Sequence, residues 1–398
     1  MNVVITGCTG FVGREIVAHL TAAGANLLLI GRDATKIEKL FPGVPVATYE
    51  QLPERGHNFD VLIHLAILNN DTSATLDDFR EVNVALMMKT VIAARAAGIR
   101  KFVYFSTFHA VDNSNVSPYA ISKREAVAKL KTAQIDSITL FLPTVYGRRW
   151  GGKLVSLNWI PIWISKLAFV PIAALKPVVN AKRISDFLLS APAEPEREHV
   201  YLCDDKDDNL IYAASRRMID ITFAMIVILM FWWLFAIIWV CVRAQSSGPG
   251  MFVQTRVGRF GASFQCYKFR TMAEGTEQVG THELTASAVT TVGRFLRGTK
   301  LDELPQVWNI LRNEMSLVGP RPCLPSQTEL VAFRKAANLF ALKPGITGYA
   351  QIHDVDMSNP ARLTLYETQY MALRSILLDL QILLATFRGR GQGDRTTT

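Results

Sequence analysis

The hydrophobic positions of the chain fall into three regimes. Over residues 1 to about 210, apolar runs of strand length alternate with stretches whose apolar residues recur at helical spacing. The runs predict strands at 2–6, 26–31, 60–66, 101–106 and 137–142. Strands separated by helices imply parallel pairing through crossovers, and hence an α/β, doubly wound sheet. Met1 leads straight into the first strand, so no signal peptide is expected. Residues 191–210 are charged and proline-containing and read as a surface linker. From 221 to 242 the chain is apolar except for Thr222, with Trp232, Trp233 and Trp239 inside the run. As a helix these 22 residues would reach about 33 Å, enough to cross a hydrocarbon core. A buried core helix is the alternative, but few soluble helices are apolar on every face for that length. Beyond it lies a basic region punctuated by glycine and proline. The stretch 371–387 carries a broad apolar stripe (Leu373, Ile376, Leu377, Leu380, Ile382, Leu383, Leu384), suited either to a bilayer surface or to a packed core. The expected organisation is 1–210, a membrane helix 211–243, a second domain 244–388 and a flexible tail 389–398.

Composition narrows the classes. In 398 residues, 49% are hydrophobic and 19% charged, which excludes a disordered chain and gives no sign of a nucleic-acid partner. The formal charge of +9 suits anionic phosphates or an anionic membrane face. The cysteines (Cys8, Cys203, Cys241, Cys266, Cys323) are far apart and form no CxxC pair, so neither a disulfide framework nor a zinc site is indicated.

Candidate chemistry in the first region begins at Thr6-Gly7-Cys8-Thr9-Gly10-Phe11-Val12-Gly13, a glycine turn between a strand and a helix. Gly7, Gly10 and Gly13 permit a tight turn and close backbone approach. The helix start at Phe11 and Val12 offers free N–H groups to a pyrophosphate. The second strand runs into Arg32-Asp33. Asp33 alone would favour the ribose hydroxyls of NAD, whereas Arg32 can pair with a 2′-phosphate, which favours NADP(H). Tyr119 and Lys123 stand four apart on one helical face, a spacing at which the ammonium can lower the phenol's pKa for proton transfer. Thr107 follows a strand and can hydrogen-bond a substrate oxygen.

With Asp60-Val61-Leu62-Ile63-His64-Leu65-Ala66, Asn83, Tyr104-Phe105-Ser106-Thr107, Tyr119-Ala120-Ile121-Ser122-Lys123 and Pro143-Thr144-Val145-Tyr146-Gly147, the first 150 residues resemble the extended short-chain dehydrogenase/reductases, among them nucleotide-sugar epimerases and reductases. The resemblance implies Thr107, Tyr119 and Lys123 as the catalytic set, and a homodimer formed through the helix that carries Tyr119. The segment after Gly147 is short for that family. It is also unusually apolar, with Trp150, Trp159 and Trp163, and is expected to touch membrane.

In the last region Leu301-Asp302-Glu303-Leu304-Pro305-Gln306 holds adjacent carboxylates. Proline is tolerated only in a helix's first turn, so the carboxylates are predicted at a helix start, which keeps an acid ionised for use as nucleophile or metal ligand. A capping box of Thr299 with Asp302 is the structural alternative. Lys268 and Arg270, Arg321 in Gly319-Pro320-Arg321-Pro322, and Lys343 before Pro344-Gly345-Ile346-Thr347-Gly348 supply cations in rigid turns, fit for a diphosphate with Mg²⁺. Together with Arg216-Arg217-Met218-Ile219-Asp220, Gln254, Arg256, Gly258, Gly261 and Thr271-Met272, these motifs resemble the monotopic bacterial phosphoglycosyl transferases over roughly 213–388.

That resemblance implies that Asp302 attacks the β-phosphate of a UDP-sugar and expels UMP, and that the sugar phosphate then passes to polyprenol phosphate. Glu303 would hold Mg²⁺ and Arg321 would bind phosphate. The family's helix-breaking Ser-Pro pair is replaced here by Trp232-Trp233. Positive residues on both flanks, Arg216 and Arg217 before and Arg243, Arg256 and Arg259 after, still favour a re-entrant helix with both ends cytoplasmic. The expectation is therefore a Rossmann-type doubly wound parallel sheet, a re-entrant membrane helix and a small, mainly α transferase domain, at the cytoplasmic face of a bacterial inner membrane. For the first domain we expect NADPH reduction of a UDP-4-keto-6-deoxy-HexNAc, with C4 epimerisation or a non-catalytic scaffold as rivals. The run from Asp356-Met357-Ser358 to Gly389-Arg390-Gly391-Gln392-Gly393-Asp394 weakly resembles transferases of that sugar class.

Overall fold

A computed structural model describes residues 1–69, 74–112, 115–190, 198–273 and 289–391. The chain divides into two compact units, Met1–Ala173 with Pro177–Asp205, and Ala174–Lys176 with Lys206–Thr398.

The first unit is built on β1 (Asn2–Thr6), β2 (Asn26–Ile30), β3 (Val46–Ala47), β4 (Val61–His64), β5 (Lys101–Thr107), β6 (Asp136–Leu142), β7 (Thr144–Tyr146), β8 (Val178–Asn180) and β9 (His199–Tyr201). Its helices are α1 (Phe11–Ala22), α2 (Ala34–Leu40), α3 (Leu52–Arg55), α4 (Leu76–Arg80), α5 (Met87–Ala96), α6 (Pro118–Lys131), α7 (Ile162–Leu175) and α8 (Ala181–Ser190). Among the described residues the main sheet runs β3-β2-β1-β4-β5-β6-β9, and its pairings are parallel. The order reverses at β1 and β4, where such sheets open a crevice at their carboxyl ends.

Side chains alternate across a strand, so the continuous apolar runs cover both faces. Val3, Ile5, Leu29 and Ile63 pack on Ile16, Val17 and Leu20 of α1 and on Ile184 and Leu188 of α8. Val4, Leu28, Leu62, Phe102 and Tyr104 pack on Met87, Val91 and Ala94 of α5 and on Ala126 and Leu130 of α6. The predicted linker 191–210 is part of this architecture. Its 191–197 portion lies outside the described residues, but β9 pairs Thr139 with His199 at the sheet edge. Asp204 accepts hydrogen bonds from the Tyr146 hydroxyl (2.7 Å) and the Asn180 amide (3.1 Å). Three-residue strands leave no periodic signal, which is why this stretch reads as linker.

The second unit holds α9 (Leu210–Gln245), the antiparallel hairpin β10 (Met251–Val257) and β11 (Ser263–Phe269), α10 (Thr291–Thr299), α11 (Val307–Leu311), β12 (Ser316–Val318), α12 (Thr328–Ala336), β13 (Gly345–Thr347), α13 (Tyr349–Ile352), α14 (Pro360–Leu373) and α15 (Ile376–Phe387). β12 and β13 pair in parallel. The stretch 371–387 is not one helix but the end of α14 and all of α15, broken at Arg374 and Ser375. One face of α15 is core, with Ile382 fully buried and Asp379 accepting from the hydroxyls of Tyr212 and Tyr370. Leu384 and Phe387 are exposed.

The start of α9 is stitched to this unit. Arg217 donates to the carbonyls of Ile310 and Leu311 (2.7 and 3.0 Å), and Asp220 accepts from the Leu317 amide (2.8 Å). Farther along, Ala224 and Val227 pack into the main core with Val307 and Leu317. Near its end Ile238 and Val242 pack on Phe269 and Leu296. Between these anchored halves residues 229–233 are exposed. There Phe231 leaves helical geometry (φ −117°, ψ 16°), and the Trp233 indole donates to the Met230 carbonyl at 2.9 Å. The helix thus kinks at the tryptophan pair without a proline, the indole N–H serving a carbonyl at the break.

The alternation of β1 makes Ile5 a direct probe of the first unit. Ile5→Ala empties a site with no exposed surface and is expected to cost about 2–5 kcal/mol, read as a lower urea midpoint for that unit.

Candidate functional site

Two constellations emerge, one in each unit. In the second unit α10 ends at Lys300, whose left-handed backbone (φ 61°, ψ 13°) turns the chain into a 3₁₀ segment, Leu301–Gln306. A non-glycine residue in that region is strained, a cost often found beside functional groups. The Thr299 hydroxyl donates to the carbonyls of Phe295 and Leu296, so it closes α10 and forms no capping box with Asp302.

Asp302 and Glu303 are both buried. Lys268, near the end of β11, places its ammonium 2.9 Å from Glu303 Oε1, and Arg321 Nη2 sits 2.9 Å from the same oxygen. Burial alone would raise the Glu303 pKa, but Arg321 and Lys268 together hold it well below the usual carboxylate range. Asp302 goes the other way. Burial, then the adjacent Glu303 charge, push it up to about 6 against the pull of Lys268, Arg297 and Arg321. The predicted helix start is a six-residue 3₁₀ turn with little dipole, so desolvation raises this acid's pKa while leaving it mostly ionised at neutral pH.

Two further arginines belong here. Arg297 lies close enough to act on the Asp302 charge, and its Nε donates to Thr271 Oγ1 at 3.0 Å. Arg256 holds the Pro322 carbonyl (2.9 Å) and the Gln254 side chain (2.6 Å), beside Arg321. Its spacing from Gly258 was legible in the sequence, its position behind Arg321 was not. The loop carrying Arg321 is fixed by glycines: a Cβ on Gly345 would lie 2.1 Å from the Gly319 amide. Arg270 and Lys343 are placed elsewhere. Arg270 donates to the carbonyls of Ser246 and Ser247, closing the exit of α9. Lys343 donates to Asn313 Oδ1 and neighbours Arg216, Arg217 and Arg259.

An open cleft lies at Arg321, lined also by Lys300, Tyr349, Asp356, Met357 and Tyr370. Gln392, Gly393 and Asp394 lie outside the described residues. Among those described, no group of three or more His, Cys, Asp or Glu side chains could by itself hold a metal. Mg²⁺ takes one or two carboxylates and completes its shell with water and phosphate, so the Asp302–Glu303 pair fits it.

In the first unit Gly7 (φ +72°) ends β1, and a Cβ there would lie 2.4 Å from the Ala66 amide nitrogen. Gly10 differs. Its missing Cβ would meet only ordinary contact with protein, at 3.5 Å. It is the N-cap of α1 with no side-chain cap, leaving the amides of Phe11, Val12 and Gly13 at an open helix start. That is the cradle a pyrophosphate requires. Asp33 accepts from the Lys36 amide and caps α2, while Arg32 is exposed at the end of β2.

Lys123 is fully buried, and its ammonium donates to the Tyr104 hydroxyl (3.1 Å) and the Phe105 carbonyl (2.8 Å). Burial pushes its pKa down to about 7. Tyr104, which the sequence offers only as a strand residue, is thus a hydrogen-bond partner of the lysine, and the Tyr119 charge reaches it. The Tyr119 ring packs on Phe79 with centroids 5.8 Å apart. Thr107 ends β5, its hydroxyl accepting from the His109 amide. Asn83 lies in a π-helical turn, Glu81–Leu86, and joins Ser122 of α6 (3.1 Å) to the Leu68 amide (2.9 Å), so a widened turn ties the loop after β4 to the helix of Tyr119.

The family model for bacterial sugar transferases matches residues 211–391, and that for the NAD dependent epimerase/dehydratase family matches residues 3–204. The chain belongs to both families, one in each half. On the sugar transferase side it is 36% identical to exopolysaccharide production protein ExoY of Rhizobium meliloti (strain 1021), over 43% of this chain and 83% of that protein. It is 33% identical to the UDP-N-acetylgalactosamine-undecaprenyl-phosphate N-acetylgalactosaminephosphotransferase of Aeromonas hydrophila, over 53% of this chain and 52% of that protein. The chain therefore spans about half the length of the Aeromonas relative. On the epimerase/dehydratase side, the crystal structure of Bordetella bronchiseptica WbmH in complex with NAD⁺ is 20% identical, covers 56% of this chain and 81% of that one, and has a TM-score of 0.40.

The opposite shifts of the two carboxylates give opposite stability effects. For Asp302 the folded pKa is raised, so its contribution is most favourable below the unfolded value and is lost as pH rises through about 6. Asp302→Asn is expected to melt higher than wild type at pH 8, by on the order of 2 kcal/mol, with the gain gone at pH 4. Glu303→Gln strands two cations, and its stability at pH 8 should drop by on the order of 2 kcal/mol, part of the effect being screened at the partly exposed cations. Thermal melts at the two pH values check both.

Proposed function

We propose that the chain is a bifunctional membrane enzyme, in which the second unit transfers a sugar 1-phosphate from a UDP-sugar to polyprenol phosphate and the first unit prepares that UDP-sugar. The observation carrying this reading is the cationic ring around the Asp302–Glu303 pair: Lys268 and Arg321 on Glu303, with Arg297 and Arg256 close by. These four side chains supply, among the described residues, positive charge of the kind a diphosphate requires. The names of the relatives support the substrate class, since the Aeromonas protein is a phosphotransferase named for a UDP-sugar and undecaprenyl phosphate.

In this reading an Asp302 oxygen attacks the β-phosphorus. The new O–P bond forms as the bond to the bridging oxygen breaks, and UMP leaves with that electron pair. The phosphate of polyprenol phosphate then attacks the same phosphorus, frees the Asp302 carboxylate and yields the polyprenol diphosphosugar. A pKa near 6 suits this role: Asp302 is mostly ionised at neutral pH, yet less solvated and more basic than an exposed aspartate. Arg321 and Lys268 would neutralise charge developing on the phosphates. Glu303 would hold Mg²⁺, which would supply positive charge to offset that of the diphosphate.

The membrane helix is read as re-entrant. Both of its halves pack on the same compact unit, through Ala224 and Val227 on one side of the kink and Ile238 and Val242 on the other, while residues 229–233 protrude. A straight span would carry its ends to opposite faces about 30 Å apart. On this reading both units lie on one face of the membrane, and the arginines that flank α9 favour the cytoplasmic one.

For the first unit the reading is NAD(P)-dependent chemistry on the sugar. When bound, the nicotinamide supplies or accepts hydride. Tyr119 would move a proton at the sugar oxygen, Lys123 would set the charge around it and Thr107 would hold that oxygen. The exposed Arg32, beside an Asp33 engaged as a cap, favours NADPH and reduction. Epimerisation with recycled NAD is the second reading, favoured by the family model that matches this half.

Asp302→Asn is expected to abolish UMP release from purified protein given UDP-sugar, whereas in wild type that rate should fall about tenfold per pH unit below about 6. Unaltered release by the variant would refute the covalent step. Mass analysis of the lipid product with and without NADPH separates the readings of the first unit, reduction requiring one NADPH oxidised per sugar. Thiol probes should reach Asn209→Cys and Ser247→Cys from the same side of sealed vesicles, and labelling from opposite sides would reject re-entry.

A further inference from the structure

The first unit carries an exposed apolar surface. Trp150 shows what this segment does with a tryptophan that belongs to the core. It is 5% exposed, packs on Phe169 and donates its indole N–H to Ser165 Oγ at 3.0 Å. Nine and thirteen residues later the pattern inverts. Trp159 is 89% exposed and Trp163 68%, with Ile162 at 53% and Leu167 at 68%. Val155 continues the face. Soluble monomers rarely group large side chains this way, and tryptophan concentrates at membrane–water interfaces, where its ring is half apolar and its N–H stays wet.

Charge says what covers the face. Between Ser137 and Ser185 the sequence has no Asp or Glu and seven Lys or Arg. Of these, Arg148, Arg149 and Lys166 are exposed on the unit itself. A second protein surface would ordinarily offer some acid of its own to meet basic partners, whereas an anionic bilayer offers negative charge above an apolar interior. The same chain bears α9, of mean hydropathy 2.7 over its most apolar window, beginning 35 residues after α7 ends at Leu175. The unit is thus tethered to a bilayer whatever its orientation.

We propose that this face, formed by Trp159, Ile162, Trp163 and Leu167 with the basic rim of Arg148, Arg149 and Lys166, is a membrane-docking surface that lays the nucleotide-binding unit on anionic lipid. The proposal rests on the reading of α9 as the membrane anchor. Docking is shallow: α7 keeps Phe169 in the protein core, so only the outer face enters the headgroup and upper acyl layer.

The test uses the full chain in phosphatidylglycerol-containing vesicles, with Cys203 and Cys241 replaced by serine and the buried Cys8, Cys266 and Cys323 retained. An environment-sensitive fluorophore is attached in turn at Trp163→Cys, Leu167→Cys, Ile92→Cys on α5, and Trp232→Cys at the kink. Lipids spin-labelled high on the acyl chain should quench the labels at 163, 167 and 232 about twofold and leave the label at 92 unchanged. Quenching at 167 should be lost in Trp159→Ser/Trp163→Ser, and should weaken in phosphatidylcholine or high salt while that at 232 persists. An unquenched label at 163 and 167 beside a quenched one at 232 overturns the docking surface and leaves the anchor standing. Disulfide trapping of two copies through the thiol introduced by Trp163→Cys would mean a protein interface instead, and would equally overturn it. Loss of quenching at 232 as well would remove the anchor and the proposal together.

Discussion

Two adjacent carboxylates buried in one 3₁₀ turn are the constraint around which the second unit is arranged. Like charges in a low-dielectric site cannot both ionise cheaply, so either one takes a proton or cations must converge. Here both happen. Lys268 and Arg321 meet on one oxygen of Glu303 and fix its charge, and Asp302 is left as the acid whose ionisation is contested. The elements that deliver these cations are otherwise ordinary. β11 is half of a hairpin, the Arg321 loop is locked by Gly319 against Gly345, and α10 brings Arg297. Their common purpose shows only at the carboxylates. The strained Lys300 backbone fits the same logic, since a regular helix continuing from α10 would carry the pair past β11 rather than against it.

The sheet was legible because its central strands β1, β2 and β4 are apolar on both faces, as a sheet covered by helices requires. Val3, Val4 and Ile5 are all fully buried, on alternating sides. What the sequence concealed was of two kinds. Very short strands, such as β3 and β9, have no period to detect. Polar side chains with local partners cannot be told from those with distant ones. Lys268 and Arg270 differ by two positions, and strand alternation would aim both at one target, but β11 ends at Phe269 and Arg270 instead closes the exit of α9. Tyr104 was hidden because a tyrosine in a buried strand reads as core, and its hydroxyl matters only once α6 brings Lys123 to it.

The kink in α9 shows how a helix can break without a proline. Proline breaks a helix by removing a donor and crowding the preceding turn. The pair Trp232-Trp233 removes no donor. Instead Phe231 leaves helical dihedrals and the Trp233 indole, three residues on from Met230, satisfies the carbonyl there. In a hydrocarbon environment a carbonyl freed at a break is costly, and a partner carried by the same helix is worth more there than in water. Bulky side chains at 229–233 also supply the apolar surface that an inserted apex must show to lipid.

On the proposed function, joining a sugar-modifying unit to a sugar-phosphate transferase in one chain carries an energetic consequence that depends on topology. A tether raises the local concentration of the first product at the second site only if both sites open into the same compartment, and a membrane between them would reduce that gain to zero. The re-entrant reading of α9 satisfies this condition, because both halves of the helix rest on the transferase unit and the preceding chain then emerges on the same side. A straight span would instead put the bilayer between the two units. On the re-entrant reading the kink at Phe231 is what lets the two chemistries act in sequence.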